Sequence, residues 1–277
     1  MTAPDARAGE GPGNGLRCGM IAVVGRANVG KSTLVNAVLG EKISIVSPVA
    51  QTTRNLIRGV HTEKRGQLVF LDTPGVHRAE SELGRIMNRT ARGAIHGADV
   101  TLLILDGSAP PAEEDEGWMR RIYRTQEPVV AVLNKTDLGD KFHPDYKALW
   151  IKIGAEKTLE KAPEWTMSAA RDGTGIEALL SRLFELVLPG PLLFPEDMLS
   201  DFPRKLAIGD IIREQYFQVL HQELPHSLAV WIEKIDETEK GWGISGTIYV
   251  NRNSQKAIVL GKKGNLIKRI RKQAEKE

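Results

Sequence analysis

The sequence predicts an α/β fold in which a mostly parallel sheet, with helices on both faces, is followed by a smaller α+β domain. Three observations predict it. Apolar strand-like runs alternate with amphipathic helix-like segments over the first two thirds of the chain, which is typical of β-α-β units. A glycine-rich loop joins the first such strand to the first helix. A proline-rich stretch then ends the alternation, and a different order of elements follows.

The elements of the first block follow from these runs. Apolar runs predict six strands, at residues 20–24, 56–62, 67–72, 100–106, 129–134 and 165–167. Amphipathic segments predict five helices between or after them, at residues 31–39, 82–96, 113–125, 145–159 and 175–187. In such a sheet, ligands bind at the carboxyl ends of the strands.

Prolines divide the chain into two domains. Pro189, Pro191, Pro195 and Pro203 predict a linker at residues 189–203, between a domain at 18–188 and a second at 204–277. The second block predicts, in order, a helix, two strands, a short helix, a glycine-flanked turn and a last helix. Their predicted bounds are 204–220, 228–235, 244–250, 254–259 and 265–276.

Composition excludes several classes of protein. The chain has 277 residues, 41% of them hydrophobic and 26% charged, which is ordinary for a globular protein. It has no run of 18 apolar residues that could span a bilayer. Residues 1–17 lack the apolar core of a signal peptide, so we expect a disordered tail and a cytoplasmic protein. Cys18 is the only cysteine, which excludes an internal disulfide.

The glycine-rich loop after the first strand predicts a phosphate site. Residues 25–32 read Gly-Arg-Ala-Asn-Val-Gly-Lys-Ser and fit G-x-x-x-x-G-K-[ST]. The glycines let backbone N–H groups point at phosphate oxygens, and the helix N-terminus adds its dipole. Lys31 is predicted to reach the β- and γ-phosphates and Ser32 to ligate Mg²⁺.

A second motif, Asp72-Thr73-Pro74-Gly75, closes the third predicted strand. The aspartate can hold a magnesium-bound water, and the glycine can offer its N–H to the γ-phosphate because no side chain blocks the approach. Alone, this motif is equally typical of an ordinary turn. Together with the glycine-rich loop, it predicts a nucleoside triphosphate site.

A third motif predicts that the base is guanine. Asn134-Lys135-Thr136-Asp137 follows an apolar strand and fits N-K-x-D. The Asp137 carboxylate can accept N1–H and the 2-amino group of guanine, whereas adenine would leave it unpaired. Asn134 is expected to brace the loop and bond the base, and the Lys135 stem to cover the ring. Ser168-Ala169 can lend a backbone N–H to guanine O6.

The carboxyl-terminal block predicts RNA binding. Residues 252–277 carry nine Lys/Arg and two Glu, whereas the rest of the chain is mildly acidic. Within them Gly261-Lys262-Lys263-Gly264 stands between two helices, as in the KH clamp on about four nucleotides. Lys268 is expected to add to this surface, although a basic helix face is also typical of simple solvation.

These motifs resemble those of the Era family of GTPases, and the resemblance spans residues 18–277. The shared segments are residues 25–32, 51–54 (Gln-Thr-Thr-Arg), 72–75, 134–137, 167–169, 194–197, 211–214, 223–225 and 258–264. It implies a P-loop GTPase domain followed by a type II KH domain. Chains of this family continue into another strand and helix, so we expect a truncated or incomplete KH domain here.

The resemblance also implies roles for individual residues. Residues 42–55 would form the first switch, in which one of Thr52 or Thr53 completes the Mg²⁺ shell. Lys31, Thr52, Thr53 and Gly75 would act in hydrolysis, and Ser32, Thr52, Thr53 and Asp72 would hold the metal. The expected GTP-binding residues are Gly25, Arg26, Ala27, Asn28, Val29, Gly30, Lys31, Ser32, Thr33, Asp72, Thr73, Pro74, Gly75, Val76, Asn134, Lys135, Thr136, Asp137, Ser168 and Ala169.

Turnover is expected to be slow. Val76 stands where Ras-type enzymes have a water-orienting Gln, and neither Arg26 nor Arg54 is an evident arginine finger. By the resemblance, Asn28 would help to bind K⁺ beside the phosphates; the alternative is that Asn28 only braces the loop.

The function that follows is a monomeric, GTP-dependent assembly factor of the 30S subunit that binds 16S rRNA, near its 3′ end by resemblance. Two alternatives stay open: a partner GTPase in tRNA modification, which would lack the loop at 261–264, and a switch on the inner face of the cell membrane. A peripheral membrane contact could coexist with the first function.

Overall fold

A computed structural model describes residues 15–47, 52–75, 82–157, 162–220, 224–225, 227–239 and 241–277. Gln51, Val76 and Glu223 of the motifs, and residues 1–14 of the expected tail, lie outside the described residues. Among the described helices, none is both long and apolar enough to cross a membrane.

Six strands form one sheet in the order β2-β3-β1-β4-β5-β6. β2 is antiparallel to β3 and every other pairing is parallel, which confirms the predicted mostly parallel sheet. The strands are β1 (Arg17–Val24), β2 (Ile57–Glu63), β3 (Gly66–Asp72), β4 (Val100–Asp106), β5 (Val129–Asn134) and β6 (Glu164–Met167).

Helices cover both faces of this sheet. In β1, Ile21 and Val23 belong to the apolar core under two helices, and Ala22 and Val24 to the core under the other three. Because successive residues of a strand point to opposite faces, both faces are buried. The first face carries α1 (Lys31–Leu39) and α5 (Ile176–Leu186), and the second carries α2 (Glu82–Gly93), α3 (Glu113–Ile122) and α4 (His143–Lys157).

Several predicted bounds were wrong by a few residues. β1 begins at Arg17, inside the segment expected to be a tail, because its guanidinium donates to the Val187 carbonyl and its N–H to the Arg65 carbonyl. The second helix ends at Gly93 and not at residue 96, since glycine is a poor helix former.

The proline-rich linker lies along the edge of the sheet. Val60 N–H donates to the Leu199 carbonyl at 2.8 Å. The buried Gln67 side chain accepts from the N–H groups of Leu193 and Phe194, each at 2.8 Å, and donates to the Phe194 carbonyl at 3.0 Å. These bonds fix the path of the chain between the two domains.

The second domain has the predicted order of elements. α6 (Arg204–Phe217), the antiparallel pair β7 (Leu228–Thr238) and β8 (Gly241–Val250), α7 (Asn253–Leu260) and α8 (Asn265–Ala274) follow in turn. Its core is small and is formed by Tyr216, Leu220, Leu228, Val259 and Ile270. β7 and β8 run further than predicted, because the polar end of the hairpin has no apolar pattern to mark it.

Candidate functional site

The glycine-rich loop turns sharply between β1 and α1. Gly25 has φ 152°, and a side chain there would meet the Ile104 carbonyl oxygen at 2.4 Å. Gly30 has φ 99°, and a side chain there would meet the Asn134 amide nitrogen at 2.2 Å. Both positions therefore need glycine, because other residues would be strained and would clash. Asn28, between them, also has a left-handed backbone.

Lys31 lies at the centre of this loop. Its Nζ donates to the carbonyls of Gly25 at 3.1 Å and Arg26 at 2.8 Å. Burial lowers the pKa of Lys31 to about 8, although the charge of Asp72 opposes this shift. The ammonium group is thus pre-positioned in a desolvated loop, where an anion would be strongly attracted.

Oxygen donors gather beside Lys31. The Ser32 hydroxyl lies 2.9 Å from the Thr53 hydroxyl. Asp72 is fully buried at the end of β3, and neither of its carboxylate oxygens has a hydrogen-bond partner among the described residues. Burial raises the pKa of Asp72, and nearby Ser32 and Lys31 partly offset this. Two hydroxyls and an unsatisfied carboxylate fit a hard cation such as Mg²⁺, with water completing its shell.

The described residues contain no cluster of three or more His, Cys, Asp or Glu side chains that could hold a metal by themselves.

The glycine-rich loop, the first switch and the 72–75 motif line one open cleft with about 410 Å³ of empty space. Gly75 packs on the glycine-rich loop so closely that a side chain there would meet the Ala27 Cα at 2.7 Å. Sequence reasoning missed three lining residues, Ile45, Val46 and Ser47, because only their position in the switch loop marks them. The predicted residues that line the cleft are Ala27, Asn28, Gly30, Lys31, Ser32, Thr33, Thr52, Thr53, Thr73 and Gly75.

The N-K-x-D motif follows β5. Asn134 is buried, donates to the Val29 carbonyl at 2.8 Å, and accepts from the Ser168 hydroxyl and from Ala170 N–H. It therefore braces the base side of the site against the phosphate loop with both ends of its amide. Asp137, in contrast, is exposed in a short 3₁₀ helix at Thr136–Leu138.

The backbone of the predicted guanine O6 site is engaged within the protein. Ser168 N–H donates to the Leu133 carbonyl at 2.8 Å, and Ala169 N–H donates to the Thr174 carbonyl at 3.0 Å. A guanine O6 atom would have to displace one of these acceptors.

A chain of alternating charges joins the phosphate loop to the base loop, and sequence reasoning missed its acidic members. Arg26 Nε lies 3.0 Å from Asp115 Oδ2, and Arg26 Nη2 lies 3.9 Å from Asp106 Oδ2. The same Asp106 oxygen accepts from Lys135 Nζ at 2.7 Å. The sequence signal was present for Asp106 alone, which ends a buried strand as Asp72 does.

Neither candidate arginine lines the cleft. Arg26 is engaged by Asp115, which is fully buried. Arg54 donates to the Leu228 carbonyl of β7 at 3.0 Å, and burial, with the charge of Arg213, lowers its pKa to about 10.

The first switch also contacts α6 of the second domain. Glu214, which is 3% exposed, accepts from Lys42 Nζ at 2.6 Å and from Val46 N–H at 2.8 Å. Arg213 pairs with Asp210 and donates to the Thr52 carbonyl at 3.0 Å. Thr52 is thus held by its backbone, next to the residue whose hydroxyl meets Ser32.

The second candidate site is the loop between α7 and α8. Gly261 has φ 72°, and a side chain there would meet Leu266 Cβ at 2.5 Å. Lys262 and Lys263 are exposed at the loop tip, and Lys268 is exposed on α8, whose Ile270 is buried. The loop therefore presents two cations on a tight turn.

Known protein families match the parts of the chain that carry the two candidate sites. A model described as 50S ribosome-binding GTPase matches residues 20–135, and a KH domain model matches residues 223–277. GTPase Era of Geobacter sp. (strain M21) is 40% identical, over 95% of this chain and 87% of the relative. GTPase Era of Rippkaea orientalis is 38% identical, over 92% of this chain and 80% of the relative.

Two solved structures are similar over nearly the whole chain. One is Era in complex with MgGDPNP and nucleotides 1506–1542 of 16S ribosomal RNA, with 35% identity and a TM-score of 0.83. The other is a variant of Aquifex aeolicus Era bound to GDP and AlF4⁻, with 34% identity and a TM-score of 0.83. Each comparison covers 94% of this chain and 87% of the solved one.

Proposed function

The chain belongs to the Era family of GTPases and hydrolyses GTP, and from this premise we propose that it binds 16S ribosomal RNA through its KH domain and acts in assembly of the 30S subunit. The observation that carries the proposal is the loop at 261–264, whose exposed lysines stand on a turn that permits close approach to a nucleic-acid backbone. The Era structure with 16S RNA supports the choice of RNA.

In the GTP site, the phosphates would lie against Lys31 and the backbone of the glycine-rich loop. We assign the metal to Ser32, Thr53 and the buried Asp72, the last through water. Thr53 is preferred over Thr52 because the Thr53 hydroxyl already meets Ser32, whereas the Thr52 carbonyl is held by Arg213. Bound Mg²⁺ would neutralise charge on the transferred phosphoryl group.

Guanine would be selected by the exposed Asp137 carboxylate, with Asn134 fixing the loop and Lys135 lying over the ring. Slow turnover is expected because Arg26 and Arg54 are engaged elsewhere. A K⁺ ion beside Asn28 would supply the missing positive charge. Hydrolysis measured in KCl and in NaCl at equal ionic strength tests this: identical rates would remove the K⁺ proposal.

The nucleotide would control RNA binding through α6. Glu214 and Arg213 hold the first switch on both sides of its undescribed segment, at Val46 and at Thr52. If Thr53 held a metal-bound triphosphate, the first switch would be drawn towards the GTP site, and its contacts with Arg213 and Glu214 would draw α6 with it. Since α6 contributes Tyr216 to the core of the KH domain, the position of this domain would follow the nucleotide.

RNA capture by the full chain tests the proposal. Lys262→Asp with Lys263→Asp should abolish capture of 16S RNA while GTP hydrolysis without RNA is unchanged. Lys147→Asp with Lys152→Asp is the matched control, since both lysines are exposed on α4 and the charge change is the same. Capture that survives the loop variant would contradict RNA binding by the KH domain.

A cytoplasmic location, a peripheral contact with the inner face of the membrane and a monomeric state stay predictions. Flotation with anionic vesicles tests the membrane contact, and sedimentation tests the monomer. Loss of vesicle binding in the Lys262/Lys263 variant, with RNA capture intact, would favour the membrane switch over the assembly factor.

A further inference from the structure

Five arginines form an exposed surface on the GTPase domain, which we call the α2–α3 arginine surface. Arg85, Arg89 and Arg92 follow one another on α2 at spacings of four and three residues, so they share one helix face. Arg121 lies at the end of α3, and Arg124 lies in the turn that follows it. All five side chains are exposed.

Both helices pack on the same apolar core. Ala91 and Ile95 from α2 and the turn after it pack in the same buried cluster as Trp118, Met119 and Ile122 of α3. This packing fixes the backbone beneath Arg92 and Arg121. The arginines are therefore carried on rigid elements.

None of the five arginines pairs with an acidic side chain in the described parts of the chain. Arg120, on the same helix, is different: it pairs with Glu116 at 2.7 Å and with Glu156 at 2.5 Å. Partial desolvation lowers the pKa of Arg121, and the like charges of Arg92 and Arg124 lower it further. Among the residues that the structure describes, no carboxylate thus neutralises the charge of this surface.

The chemistry of the surface fits phosphate. Residues 82–125 contain six arginines and no lysine. The planar guanidinium binds phosphate oxygens in bidentate fashion, which the lysine ammonium cannot do. Helix dipoles favour a cation near each C-terminus, but Arg85 and Arg89 lie outside the last turn of α2, where that effect has fallen off.

We propose that the α2–α3 arginine surface is a second RNA contact, which binds the phosphate backbone of the same RNA that the KH domain holds. This inference rests on the proposed function. It extends the contact from about four nucleotides at the KH loop to a longer RNA that reaches the GTPase domain. The contact would add affinity without reading sequence, because phosphates are the same in every RNA.

The experiment measures the affinity of the full chain for full-length 16S RNA at several KCl concentrations. The test variant carries Arg92→Gln, Arg121→Gln and Arg124→Gln, and Arg120→Gln is the control on the same helix. In the triple variant we expect at least about tenfold weaker binding and a salt slope that falls by roughly 0.7–0.9 for each phosphate that is no longer bound. The control should bind as the unmodified chain does.

GTP hydrolysis without RNA and the thermal midpoint should be unchanged in the triple variant, because the three arginines are exposed and lie outside the GTP cleft. An affinity and salt slope equal to those of the Arg120→Gln chain would overturn the proposal. So would a loss confined to anionic phosphatidylserine vesicles, which would assign the surface to a membrane.

The two proposals fail separately. If the unmodified chain does not bind 16S RNA, or if the Lys262/Lys263 variant binds it fully, the proposed function fails. If the KH variant loses RNA but the triple arginine variant does not, only the second contact fails.

Discussion

The two domains bury their sheets to very different extents. Every residue of β3, β4 and β5 is buried because helices cover both faces of the large sheet. In the KH domain, β7 and β8 leave most of their residues exposed, and the core is small. The GTP site therefore stands on a rigid scaffold, whereas the KH domain has a small core and contacts the first switch through α6.

The largest effect is expected inside the GTP site. Lys31→Ala should lower GTP turnover about 100- to 1000-fold, because it removes a pre-positioned cation from a desolvated loop. Single-turnover hydrolysis measures it, and Lys147→Ala is the control. A decrease in GTP turnover of less than tenfold would mean that the Lys31 ammonium group contributes little to hydrolysis.

The next largest effect is expected in the KH domain. Arg213→Met should lower the free energy of unfolding of the KH domain by about 3 kcal/mol, because it leaves Asp210 buried without its partner. Arg204→Met, which removes an exposed pair with Glu237, should cost less than about 1 kcal/mol. Urea denaturation followed by tryptophan fluorescence compares the two variants, and equal losses would mean that the buried Arg213–Asp210 pair stabilises the domain no more than the exposed pair does.

A third prediction concerns the dependence of nucleotide affinity on pH. Because burial lowers the pKa of Lys31 to about 8, the free GTP site loses a proton as the pH rises through 8, whereas a bound triphosphate keeps Lys31 charged. Nucleotide affinity should be highest below pH 8 and about tenfold lower at pH 9 than at pH 7. Lys31→Met should remove this dependence, and a dependence that survives would assign the titration to another group.

The smallest effect tests the charge chain between the two nucleotide loops. Asp106→Asn should speed GDP release about fivefold, since it weakens the ion pairs with Lys135 and Arg26 by about 1 kcal/mol. Stopped-flow fluorescence of a labelled GDP measures the rate. In a double-mutant cycle with Lys135→Met the effects should not add, and full additivity would mean that Asp106 acts independently of Lys135.

Local sequence patterns predicted the large sheet, the family and the GTPase activity, all of which were confirmed. They succeed because strand runs and phosphate loops are coded by neighbouring residues. The partners of Arg26, Glu214 and Gln67 could not be predicted in this way, since each bond joins residues far apart in the chain. The start of β1 was missed because Arg17 follows a glycine-rich stretch and carries no apolar signal.

The most direct test of the account measures 16S RNA affinity with a non-hydrolysable GTP analogue and with GDP, in the unmodified chain and in Glu214→Gln. The account predicts tighter binding with the GTP analogue in the unmodified chain and a much smaller difference in Glu214→Gln, because Glu214 joins the first switch to α6. Equal affinity in both nucleotide states of the unmodified chain would contradict it.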